Sequence, residues 1–198
     1  MVKRVFIVHG WDSSPTSEWF PWMKKQLENL GFKVNVPKMP NPLKPDIGLW
    51  IGSLDKIVDY IDEDTYFIGH SVGCQAILRY LASIDDSKVK GKTNLLFVGG
   101  WFSLSKKAIE TDEDKEVAAP WLEDNINFTK IKKITNKITA IFSKDDYYVP
   151  IENSYFFKNN LSPKIKIVLV NGFGHFSEDD GIIELPVALK EFLEILKS

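Results

Sequence analysis

Sulfur is scarce in this sequence, and charge of one sign never accumulates. Cysteine occurs once, at Cys74. A single thiol builds neither an internal disulfide framework nor a Cys-based zinc site. The 25 Lys and Arg nearly balance the 27 Asp and Glu, leaving a formal net charge of −2. Without a basic block, nucleic-acid binding by bulk electrostatics is not expected. No apolar run approaches the ~18 residues that a membrane-spanning helix requires. The first ten residues, Met-Val-Lys-Arg-Val-Phe-Ile-Val-His-Gly, carry no small-residue cleavage site and read as a first strand, not a signal peptide. A cytoplasmic location fits these absences. Repeats and low-complexity stretches are missing too, as are G-x-G-x-x-G and Walker A motifs, so a flavodoxin-like nucleotide binder is a weak reading.

What is present is a steady alternation of strand-like and helix-like patterns. Strands are expected over Val2–Val8, Phe32–Val36, Tyr66–Gly69, Asn94–Gly99, Lys137–Ser143 and Ile165–Val170. They are continuous Val/Ile/Leu/Phe runs, as parallel strands buried on both faces should be. Helical spacing appears over Glu18–Leu30, Asp46–Ile61, from Ser71 to about Ala82, and over Leu185–Lys197. With 198 residues and a hydrophobic fraction of 44%, the chain reads as one α/β domain, residues 1–198. Right-handed crossovers then give a doubly wound, mostly parallel six-stranded sheet between two helical layers. Residues 100–136 break the rhythm. They form either a cover near the functional face or an ordinary long connection with one short helix.

The chemistry concentrates at Gly69-His70-Ser71-Val72-Gly73. This is G-x-S-x-G between a strand and a helix, the setting of a nucleophile elbow. A serine hydroxyl is a poor nucleophile at pH 7 and needs a base, which in turn needs an acid. His70 precedes the nucleophile, and its side chain should point elsewhere. His9 follows the first strand and should orient the loop there. His175, in Gly174-His175-Phe176 after the last strand, is the expected base. The acid should lie between Ser71 and His175 in chain order. Asp146 in Asp-x-x-Val-Pro is preferred, with Asp145 as the alternative. Backbone N–H groups of Val72 and Trp11 are the expected oxyanion donors. Cys74 reads as a buried apolar residue, and Asp179-Asp180 as a solvated loop or helix start. A metal site of Asp145, Asp146 and His175 lacks a helical ligand pair and is discounted. Trp11, Trp19, Phe102 and Trp121 are candidates for an apolar acyl or aryl pocket.

Several motifs together resemble the small α/β-hydrolases of the YdeN and retinoblastoma-binding-protein-nine type. They are Val-His-Gly-Trp at 8–11, Trp19-Phe20-Pro21-Trp22, Gly-His-Ser-Val-Gly at 69–73, Asp145-Asp146 with Val149-Pro150, and Gly174-His175-Phe176. The resemblance implies the α/β-hydrolase fold without a large lid domain, and a serine hydrolase with Ser71, Asp146 and His175 as its triad. It implies no cofactor and names no natural substrate. The expected substrate is a small ester, with amides or peptides as the alternative. Because some members of the family are discussed as protein-binding factors, a protein partner or a binding module on the same fold stays open.

Overall fold

Strands form where the sequence runs apolar, and their ends shift by one or two residues from expectation. In a computed structural model that describes residues 2–123 and 125–197, the six strands are β1 (Arg4–Val8), β2 (Lys33–Asn35), β3 (Thr65–His70), β4 (Thr93–Val98), β5 (Thr135–Ser143) and β6 (Ile165–Val170). Met1, Asp124 and Ser198, which the expected domain and its 100–136 segment include, lie outside the described residues. The sheet is parallel throughout, in the order β2-β1-β3-β4-β5-β6. All six residues of β3 and of β4 are buried, which explains why neither alternates with polar residues.

Among the described residues seven helices connect and cover the strands: α1 (Phe20–Asn29), α2 (Ile47–Ile57), α3 (Val72–Ser83), α4 (Asp112–Leu122), α5 (Phe128–Ile134), α6 (Asn153–Leu161) and α7 (Pro186–Leu196). Successive side chains of a strand point to opposite faces, and the core divides accordingly. Val5, Ile7 and Ile68 pack with Met23 and Leu27 of α1 and Phe192 of α7. Phe6, Val8 and Phe67 pack with Trp50 and Leu54 of α2, Ile77 of α3 and Phe157 of α6. Each fully buried side chain of this size contributes about 1.5–3 kcal/mol. The two clusters are the two interfaces of an αβα sandwich. The structure thus has the doubly wound architecture.

Two helix boundaries depart from expectation for identifiable reasons. Glu18 adopts a left-handed backbone, φ 59°, so α1 begins at Phe20, with Pro21 in its first turn. Helix α2 begins behind Asp46, whose carboxylate accepts from the Leu49 N–H at 2.8 Å, but it stops at Ile57. Val58 and Ile61 extend the apolar spacing yet are no longer helical; Ile61 makes a parallel bridge to Val89. Burial continues past the helix, so periodicity overstates its length.

The 100–136 segment holds a 3-10 turn at Lys106–Ala108 and then α4 and α5, not a single short helix. A capping box starts α4: the Thr111 hydroxyl accepts from the Asp114 N–H at 3.1 Å, and Asp114 accepts from the Thr111 N–H at 2.9 Å. The Trp121 indole ties its far end down by donating to the Pro45 carbonyl at 2.9 Å.

The strand order fixes where a ligand can sit. The chain leaves β1 toward β2 on one side, while β3 lies on the other. Open α/β sheets bind ligands at such a switch point, beyond the carboxyl ends of the strands. The loop after β1 carries Gly10 and Trp11, and the turn after β3 carries Ser71.

Candidate active site

Ser71 follows the last residue of β3 and caps the first turn of α3 with φ 52° and ψ −125°. A non-glycine residue in this region costs about 1–3 kcal/mol and persists only when its surroundings enforce it. The enforcing contacts are close backbone approaches. A Cβ on Gly73 would lie 2.3 Å from the Val8 carbonyl oxygen, and one on Gly69 2.8 Å from the Cys74 backbone. Only glycine allows α3 to pass this near to β1 and β3. The turn therefore ends with the Ser71 side chain in a cleft.

That cleft has a volume of about 360 Å³ and is lined by Ser71, His175, Trp11, Trp101 and Tyr148, among others. His175 arrives on the loop after β6. Its Nδ1 lies 2.8 Å from Asp146 Oδ2, and both side chains are buried. The other Asp146 oxygen accepts from the Tyr148 and Val149 N–H groups at 2.9 and 2.8 Å. The carboxylate is thereby held with one oxygen on the backbone and one on the imidazole. With the Nδ1 hydrogen directed at Asp146, the His175 Nε2 lone pair is the one left for a proton. Ser71 Oγ accepts a hydrogen bond from the Trp101 indole N–H at 3.2 Å.

The adjacent Asp145 does something else. Its side chain accepts from the Ser143 hydroxyl at 2.5 Å, from the Gly172 N–H at 2.8 Å and from the Gly174 N–H at 3.4 Å. The Ser143 hydrogen bond is the largest influence and, with the amides, lowers the carboxyl to about 2. Asp180 completes the brace by accepting from the His175 N–H at 2.8 Å and the Ser177 hydroxyl at 2.7 Å. The expectation of a merely solvated loop at Asp179-Asp180 misses this: Asp180 holds the backbone of the proposed base.

Two other histidines support the site. His9 Nε2 accepts from the Met39 N–H at 3.1 Å, and its Nδ1 lies 2.9 Å from the Gly10 carbonyl. The tautomer satisfying both is neutral, in line with burial pushing this imidazole below its ordinary value. His70 is wholly internal. Its Nε2 donates to the His175 carbonyl at 2.9 Å, and its Nδ1 lies 3.0 Å from Glu18 Oε2. Burial alone would lower His70, but the neighbouring Glu18 carboxylate and the bond to the His175 carbonyl outweigh it, and the net shift is upward. Glu18 responds in kind: burial raises it, His70 outweighs burial, and the net shift is downward. Glu18 has no sequence signal, because it reads as the first residue of a helix it does not join.

The structure brings Ser71, Asp146, His175 and the Trp11 loop to one place. Val72, the first residue of α3, puts its amide at the positive end of the helix dipole. Among the described residues, neither the Trp11 nor the Val72 N–H is engaged by another group. The Trp11 indole donates to the Leu43 carbonyl at 2.9 Å, which pins this loop. Three of the expected pocket aromatics require correction. Trp19 is fully buried in the core beside Phe20 and His70. The Phe102 ring lies tilted against that of Phe156, with centroids 4.3 Å apart, and Trp121 packs against Trp50. None of the three lines the cleft. Of the four expected rings Trp11 does line the cleft, and Trp101 and Tyr148 supply the other ring-bearing walls. Cys74 is buried, and burial raises its thiol well above the ordinary range, which makes it inert. Among the described residues no group of His, Cys, Asp and Glu has the arrangement of a metal site.

The known proteins similar to this chain agree with the fold. The model of the family described as serine hydrolase matches residues 5–194. The protein named "Putative hydrolase YdeN" from Bacillus subtilis is 34% identical over 189 residues, covering 94% of this chain and 93% of its own length. Serine hydrolase RBBP9 from Rattus norvegicus is 25% identical over 158 residues, covering 79% of this chain and 78% of its own. The crystal structure of the Bacillus subtilis ydeN gene product superposes with a TM-score of 0.88 at 28% identity over the whole of both chains. Est1E from Butyrivibrio proteoclasticus shares the fold, with a TM-score of 0.72 at 16% identity over all of this chain and 89% of its own. The chain belongs to the serine hydrolase family and has the α/β-hydrolase fold.

Proposed function

We propose that this hydrolase cleaves small carboxylic esters through an acyl-enzyme on Ser71. The observation that carries the reading is the 2.8 Å contact between His175 Nδ1 and Asp146 Oδ2, beside a serine held at positive φ in the same cleft. His175 Nε2 takes the Ser71 proton as Oγ bonds to the acyl carbon. The carbonyl pair moves onto oxygen, where the Trp11 and Val72 amides receive it. His175 returns the proton to the leaving alcohol. Water then adds to the acyl-enzyme by the same route and regenerates Ser71. Asp146 fixes the His175 tautomer and stabilises the imidazolium. No cofactor enters this sequence.

The cleft volume supports a small substrate, since it lies near the lower end of the ~300–1,000 Å³ range of small-molecule pockets. One wall is built from the 100–136 segment, through Leu104, Lys107 and Asp114, and we assign that segment as the cover of the site. The lone, buried Cys74 suits a reducing compartment such as the cytoplasm. Among the described residues no helix is long and apolar enough to cross a membrane. The test is hydrolysis of 4-nitrophenyl esters of increasing acyl length by wild type and Ser71→Ala. The expected result is turnover of short esters by wild type, a fall with chain length, and loss of at least ~10³-fold in the variant. Turnover retained by a folded Ser71→Ala protein contradicts the assignment.

A further inference from the structure

Among the described residues, the Trp101 indole is the one side-chain donor placed on the proposed nucleophile itself. Its Nε1 lies 3.2 Å from Ser71 Oγ, and its ring is 1% exposed. An indole nitrogen is a donor only; it has neither a lone pair to accept with nor a proton it gives up near neutral pH. Two consequences follow. The Ser71 hydroxyl cannot direct its hydrogen at Trp101, so that hydrogen is released toward another acceptor in the cleft. The indole N–H also points at the atom whose charge changes during reaction, whereas the Trp11 and Val72 amides serve the carbonyl oxygen of the substrate.

We propose that Trp101 is a further catalytic residue, donating through its indole N–H to Ser71 Oγ and stabilising the negative charge that Oγ carries as its bonds form and break. The inference rests on Ser71 being the nucleophile. In acylation the Oγ–H bond breaks, the proton passes to His175 Nε2, and the Oγ electron pair forms the bond to the acyl carbon. In deacylation that bond breaks, the pair returns to Oγ, and His175 returns the proton. At both points Oγ is partly anionic, and a fixed donor nearby lowers the barrier in each direction. In the acyl-enzyme Oγ is an ester oxygen and a poor acceptor, so the interaction is weaker in that intermediate than in the flanking transition states. That difference is what makes an interaction catalytic rather than merely binding.

The fold holds the indole in place without help from a substrate. Gly99, at φ 56°, turns the chain out of β4. A Cβ on Gly100 would lie 2.8 Å from Phe157 Cζ and 2.9 Å from Cys74 Cβ, so the chain passes close over α3 and α6. Just beyond, the Phe102 and Ser103 N–H groups donate to Asn153 Oδ1 at 2.7 and 3.0 Å. Asn153 is itself buried and donates to the Ser103 and Pro150 carbonyls. Trp101 is therefore fixed on both sides along the chain.

The test replaces the N–H while keeping the ring. In Trp101→β-(3-benzothienyl)alanine a sulfur stands where the N–H was; Trp101→Phe serves as a second, smaller variant. The expected result is a kcat lowered about 10- to 30-fold, within the range for a lost hydrogen bond to a charge-bearing atom, with KM within about twofold. Fluorophosphonate labelling of Ser71 should slow by a similar factor, and the apparent pKa of the acidic limb of kcat/KM should stay where it is. Rates within twofold of wild type in the isostere overturn the proposal. So does a slowed enzyme whose apparent pKa has moved, because that places the damage at His175 and Asp146. Ser71→Ala run in parallel separates the two ideas: activity there defeats the nucleophile assignment itself, whatever Trp101 does.

Discussion

Two loops meet at the cleft, and they are held by different forces. The elbow at 69–73 is held by excluded volume. Its glycines sit where a Cβ would strike backbone atoms of β1 or α3, and Ser71 makes no capping hydrogen bond with its side chain. The loop at 170–181 is held by side-chain polar groups on its backbone. Asp145 binds the Gly172 and Gly174 amides, Asp180 binds the His175 amide, and His70 binds the His175 carbonyl. The proposed nucleophile is thus placed by sterics, and the proposed base by ionisable side chains. Point changes and pH should therefore separate the two.

The largest effect is expected at Asp146. Asp146→Asn keeps the shape but offers His175 the wrong partner for its tautomer, and kcat should fall by about 10⁴-fold, the size of the loss when a triad aspartate becomes asparagine. Asp145→Asn leaves the contact between His175 and Asp146 in place and alters only the bonds to the Ser143 hydroxyl and the Gly172 and Gly174 amides, so kcat should fall by less than about tenfold, and the charged hydrogen bonds it weakens, worth about 1.5–3 kcal/mol, should be lost mainly from stability. Steady-state kinetics on the two variants reads the contrast directly. Equal losses would dissolve the division of labour between the adjacent aspartates.

Next comes the elbow. Gly73→Ala places a methyl 2.3 Å from one backbone carbonyl oxygen and 2.6 Å from another. Neither can swing away as a side chain would. A destabilisation of about 3 kcal/mol or more is expected from such overpacking, read as a lower denaturant midpoint. A midpoint within experimental error of wild type would mean that sterics do not hold the elbow.

The smallest effect is pH-dependent stability from Glu18 and His70. Glu18 is lowered from its ordinary 4.5, so its contribution is present above that value and is lost as pH falls through the lower folded value. His70 is raised from its ordinary 6.5, so its contribution is complete below that value and is lost as pH rises through the higher folded value. The pair therefore contributes most between pH 4.5 and 6.5. The stability gap between wild type and Glu18→Gln should be widest in that window and narrow on either side. A gap independent of pH would show that this contact is not ionic.

Much of this layout was legible from the chain. Apolar runs mark all six strands; β3 and β4 are the clearest because they are buried on both faces, whereas β2 buries only Val34 and β6 is half-exposed. The elbow glycines and the residues at strand ends single out Ser71, His175 and Asp146 as candidates, and the structure gathers them at one cleft. The structure adds why Asp146 suits: its first oxygen closes a turn on Tyr148 and Val149, which aims the second. Strand order was not written in any local pattern. Helix α6 escaped notice because polar Asn153 and Ser154 are among its buried residues, where they pin other chain segments or fill space instead of marking an apolar stripe. Helix α4 was hidden by an acidic first turn and an internal Pro120. Trp11 lines the cleft as expected while Trp19, Phe102 and Trp121 do not, because the size of an aromatic residue speaks equally for core and cleft; only tertiary placement separates Trp19 from Trp101.

The most direct test of the central claim is to label the folded protein with a fluorophosphonate and identify the modified residue by peptide mass spectrometry. The account predicts one adduct, on Ser71, abolished in Ser71→Ala and strongly slowed in His175→Ala. An adduct on another residue, or none on folded and accessible wild type, would contradict it.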